Sequence, residues 1–73
     1  MGLLLIMDCR GDTRVAWDVA DEASLARARE MVERAYAEGK GVFRLDEGGT
    51  AMRLKEFDPD AKEIVILPHL RGG

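Results

Sequence analysis

The chain has 73 residues, a net charge of −3, 47% hydrophobic and 34% charged residues, and a pI near 5.0. That is enough for one domain with a modest core, and the balance excludes disorder and collagen-like repeats. The acidic charge and the absence of an aromatic–basic stripe argue against a nucleic-acid partner.

The elements follow in chain order. Leu3 to Met7 is a continuous apolar run and predicts a strand buried on both faces. It is too short for a signal peptide, lacks a basic start and is interrupted by Asp8. Ile6 stands where myristoylation would want Ser or Thr. No run is long enough to span a membrane, so no membrane partner is expected. Asp8-Cys9-Arg10-Gly11-Asp12 reads as a turn. Thr13 to Val19 alternates, with Val15, Trp17 and Val19 on one side, and completes a hairpin.

Asp21 or Ser24 can cap a helix, and Glu22 suits its positive end. Leu25, Ala28, Met31, Val32, Ala35 and Tyr36 form its apolar stripe, Glu30 sits four residues before Arg34, and Gly39 is placed to end it in a left-handed cap. Val42 to Leu45 is a short strand, Asp46-Glu47-Gly48-Gly49 a turn, and Thr50 to Leu54 a returning strand. Phe57 to Ala61 bends around Pro59. Glu63 to Leu67 is a second apolar, β-branched run, expected in the centre of the sheet, and Pro68 ends it. The first and last strands are expected to lie side by side and parallel. The remaining segment, 69–73, is expected to be a flexible tail beyond a single domain spanning 1–68.

No internal catalytic constellation appears, so no enzyme activity is expected. Cys9 is the one cysteine, which leaves no internal disulfide and makes the cytoplasm the expected compartment. Cys9 beside Arg10 lacks a neighbouring histidine and reads as a turn cysteine. Arg10-Gly11-Asp12 spells an adhesion tripeptide but reads first as a glycine turn. His69 has no ligand-spaced partners, and Asp58 and Asp60 around Pro59 lack the further ligands of a calcium loop. No metal and no bound cofactor are expected.

The informative feature is the sequence's end, Leu70-Arg71-Gly72-Gly73. At average usage, two terminal glycines arise by chance in about one chain in 200, and the preceding Leu-Arg lowers this to about one in tens of thousands. Glycine has no Cβ, so Gly72 and Gly73 can thread a narrow channel and adopt dihedrals closed to other residues. The element order and these four residues resemble ubiquitin and its β-grasp relatives. The stretch from Glu63 to Gly73, with Pro68 after the strand, is also similar to the end of the molybdopterin-synthase small subunit and other sulfur carriers. Pro68 leans toward the carriers and Arg71 toward ubiquitin.

The resemblance implies an α+β fold: a ubiquitin-like β-grasp with a mixed sheet of four or five strands, in the order ββαβββ, on one helix. It further implies that an activating enzyme uses ATP to adenylate the Gly73 carboxylate, with Gly72 slender behind it. Leu70 and Arg71 would be recognised by that enzyme, Arg71 through a charge-assisted hydrogen bond. Attack by a target lysine would make the chain a protein modifier, the first reading. Attack by sulfide would make it a sulfur carrier serving a biosynthetic enzyme. A processing protease would be a further partner if the diglycine is exposed by cleavage. From a different class comes a small accessory protein whose Gly-Gly is incidental.

Overall fold

The computed structural model describes residues 1–8 and 11–68. Its elements are β1 (Gly2–Asp8), β2 (Gly11–Trp17), α1 (Glu22–Ala37), β3 (Gly41–Leu45), β4 (Ala51–Arg53) and β5 (Glu63–Leu67). The strands form one five-stranded sheet in the order β2-β1-β5-β3-β4. β1 pairs antiparallel with β2 and parallel with β5, and β3 is antiparallel to both β5 and β4. One helix packed on a mixed sheet is an α+β architecture compatible with a β-grasp, and the first and last strands are parallel neighbours as expected.

Period-two alternation assigns the faces. Leu4 and Ile6 of β1, Ile64 and Ile66 of β5, Val42 of β3 and Val15 and Trp17 of β2 meet Ala28, Val32 and Ala35 of α1 in one core. The helix stripe is as read from the sequence, with Leu25, Met31 and Tyr36 packed at its margins. Asp21, not Ser24, caps the helix by accepting from the Ala23 and Ser24 amides. Ser24 instead ties Asp18 to the first turn, accepting from the Asp18 amide at 3.0 Å. At the other end Gly39 adopts φ 76°. There the Gly39 amide bonds Tyr36 O at 3.0 Å and the Lys40 amide bonds Ala35 O at 2.9 Å. This pair of bonds is a Schellman cap, and it requires the positive φ.

Three expectations are corrected. β1 is not buried on both faces, since Leu3 and Leu5 are only half-buried; α1 is the only helix among the described residues and it covers one side of the sheet. β2 ends at Trp17 rather than Val19. The chain turns there, with the Asp21 amide bonding Asp18 O at 2.8 Å, and Val19 is left 52% exposed. The hairpin register places Asp8 opposite Gly11, so Asp8, Gly11 and Asp12 belong to strands rather than to the turn. Cys9 and Arg10 lie outside the described residues.

Trp17, the largest fully buried side chain, joins three parts of the fold. It sits opposite Gly2 on β1, donates Nε1–H to Pro59 O at 3.2 Å, and meets Phe57 edge-on with ring centroids 5.2 Å apart. A Cβ on Gly2 would fall inside the Trp17 ring. Gly2→Ala is therefore expected to destabilise the fold by about 2 kcal/mol or more through overpacking. Urea denaturation followed by Trp17 fluorescence checks this, and an unchanged midpoint would contradict the packing. Asp21→Ala is expected to cost about 1 kcal/mol in the same assay through loss of the cap.

Candidate functional site

The middle strand delivers the diglycine segment. β5 is paired on both edges, to β1 and to β3, and its last registered pair is Leu67 with Gly41. Pro68 is exposed and has no backbone donor with which to continue the ladder. The residues singled out in the sequence, Leu70, Arg71, Gly72 and Gly73, lie outside the described residues, as does His69. The structure thus fixes the root of the segment, at the sheet end where β1 finishes and β3 begins. Phe43 marks that root: a Cβ on Gly41 would lie 2.9 Å from the Phe43 ring, so the ring covers the glycine that opposes Leu67.

Beside this root lies the sheet face that α1 leaves open. Its central row crosses every strand in register: Arg14, Leu5, Val65, Phe43 and Arg53. Val65 is 8% exposed without belonging to the core under the helix; its neighbours in the row bury it. The two arginines stand about 19 Å apart, four strand spacings of about 4.8 Å. Neither forms a salt bridge with a described side chain. This apolar strip with a cation at each end was missed from the sequence. The sequence signals only that one face is open, because one amphipathic helix can cover only one face of a sheet whose strands are apolar on both; which residues line that face comes from the register.

Elsewhere several charged side chains pair with one another. Arg44 reaches Asp58 with Nη1 at 3.1 Å and Asp46 with Nε at 3.2 Å. These contacts, the Asp58 hydrogen bond first, raise its already high pKa and keep it charged. Lys62 pairs with Glu47, and these groups line a groove of about 520 Å³ between the β3–β4 turn and the loop before β5. The expected Glu30–Arg34 pair forms at 3.5 Å with both side chains largely exposed, so it contributes little. No group of three or more His, Cys, Asp or Glu side chains among the described residues could hold a metal ion. No helix in that set is long and apolar enough to cross a membrane. The Ser24 hydroxyl is committed to backbone groups, accepting from the Asp18 amide and donating to Asp21 O.

No family model matches the chain, and no curated protein and no solved structure matches it significantly.

Among the described residues, the surroundings of Tyr36 also move its titration. Its hydroxyl donates to Leu54 O, pinning the loop after β4 to the helix. Burial raises its pKa above 10.0, Glu56 adds to the rise, and Arg53 opposes it. The folded state thus holds the phenol proton more tightly than the unfolded chain does. The resulting stabilisation is complete below about pH 10 and is lost as pH climbs toward the folded value, because the unfolded state ionises first. At pH 8, Tyr36→Phe should be less stable by about 1 kcal/mol. The gap should narrow above about pH 10, as read from urea midpoints across that range. A constant gap would contradict the assignment.

Proposed function

We propose that this chain is a ubiquitin-like protein modifier, activated at the Gly73 carboxylate and joined through it to amines of target proteins. The carboxylate is either the chain's own or one exposed by a protease that cuts after Gly73. The observation that carries the proposal is a conjunction: Leu70-Arg71-Gly72-Gly73 follows, after Pro68 and His69, on the central strand of a β-grasp-compatible sheet. A central strand held on both edges is a rigid base for a side-chain-poor stalk. The open face beside that base supplies a recognition surface that needs no chemistry of its own.

The chemistry follows from the weakness of a carboxylate as an acyl donor. An activating enzyme would use the carboxylate to attack the α-phosphate of ATP, releasing pyrophosphate and leaving a Gly73 acyl-adenylate. A cysteine thiolate would then displace AMP to give a thioester, and a target lysine amine would displace the thiol to give an amide. Gly72 and Gly73 let the backbone approach the nucleotide without a Cβ, Leu70 gives apolar anchorage, and Arg71 offers a charge-assisted hydrogen bond to a carboxylate on the enzyme. In the cytoplasm the chain itself would bind no cofactor and use ATP only through its partner.

Pro68 favours a second reading, a sulfur carrier in which sulfide displaces AMP and leaves a Gly73 thiocarboxylate. One assay separates the outcomes. The protein is incubated with ATP and an extract of its source cells, and intact masses are compared with those of a chain lacking Gly73. A thiol-sensitive adduct or a larger amide conjugate, both dependent on Gly73, is expected. Sulfur replacing one terminal oxygen would establish the carrier, and no Gly73-dependent change would favour an accessory protein with an incidental diglycine. Arg71→Ala should slow adduct formation about tenfold or more, the loss of one charge-assisted hydrogen bond.

A further inference from the structure

β2 is an edge strand of seven residues, and Asp12, Thr13, Arg14 and Ala16 on it are all exposed. Long exposed edges are templates for pairing, and a strand with charges of one sign would repel a copy of itself. This edge does the opposite. Asp12 and Arg14 are two residues apart, so they share a face. Neither has a hydrogen bond or ion pair to a described side chain.

We propose that the β2 edge pairs antiparallel with the β2 edge of a second copy. In the register centred on Thr13, Thr13 faces its own counterpart, and Asp12 of each copy faces Arg14 of the other. The two-fold axis makes both ion pairs at once. Directly opposed side chains of opposite charge favour the register, and shifting it by one pair of residues to centre on Arg14 would place the two arginines against each other. The opposite sheet edge lacks this property. β4 has three residues, Ala51–Arg53, and folding it on itself about Met52 sets Arg53 against Ala51. The pairing would extend the five-stranded sheet to a continuous one across both copies, with the two helices on the same side. A contact this small gives a weak dimer, with a dissociation constant on the order of 0.1 mM.

The test is sedimentation equilibrium at low salt from about 10 μM to 1 mM, a range that brackets the expected constant. The wild-type mass should rise from 8.1 kDa toward twice that. Asp12→Arg alone and Arg14→Asp alone should each weaken association about tenfold or more, because each sets like charges opposite each other twice. An equimolar mixture of the two variants should regain dimerisation. In the mixed pair the two arginines of one copy face the two aspartates of the other, so both contacts are again between opposite charges. Trp17 fluorescence confirms that both variants are folded. An isotope-filtered contact between the Thr13 methyls of labelled and unlabelled wild-type copies supplies the same evidence without any substitution. A wild-type chain that stays monomeric throughout, single variants that associate like wild type, or a mixture that stays monomeric would each overturn the proposal.

Discussion

The parallel pairing of β1 with β5 is the constraint on which the rest of the molecule depends. A parallel neighbour cannot be reached by a hairpin, so everything from Gly11 to Lys62 becomes the crossover. That crossover contains the only helix among the described residues, and it must lie across the sheet to close the core. The pairing also puts the last strand in the middle instead of at an edge. Leu4, Ile64 and Ile66 are consequently almost without solvent exposure, and the chain leaves the sheet from a strand paired on both edges. Any function vested in the residues after Pro68 inherits a fixed point of departure.

Trp17 is the second fixed point. It fills the space that Gly2 leaves vacant, and it holds the loop before β5 through Phe57 and the Pro59 carbonyl. Tyr36 grips the other end of that loop at Leu54, and Arg44 grips its middle at Asp58. A long irregular connection is thereby fastened to a strand, a helix and a neighbouring strand in turn. The same fastening orders the start of β5 and so contributes to its place in the sheet. Charge is used for tying loops on the helix side of the molecule. On the open face, by contrast, Arg14 and Arg53 stand at the ends of an apolar row without a salt bridge to any described side chain.

Much of this was legible in the sequence, because the signals were local and periodic. The stripe from Leu25 to Tyr36, the positive-φ glycine at Gly39 and the β-branched run from Ile64 to Ile66 each state their structure within a few residues. What was not legible depended on distant partners. Val19 continues the alternation of β2, yet Asp18 turns the chain before it, a competition decided by a side-chain hydrogen bond to the Ala20 amide. Leu3 and Leu5 look as buried as Leu4 until the number of covering layers is counted. The central row of the open face is invisible until register aligns residues from five strands. The candidate site divides the same way: its residues were named by a contiguous motif, whereas its neighbouring surface required the fold.

We propose that the sheet, its uncovered apolar face and the diglycine segment together present the Gly73 carboxylate to other proteins. The covalent fate of Gly73 decides whether they do so. The most direct measurement is peptide sequencing by mass spectrometry of trypsin-digested proteins from the source cells. Trypsin cuts after Arg71, so a conjugated target would retain Gly72-Gly73 on a lysine side chain. Such remnants are expected on lysines of other proteins and should disappear when Gly73 is deleted from the chain. Remnants absent from cells that contain the protein, or unchanged after the deletion, would contradict the proposal.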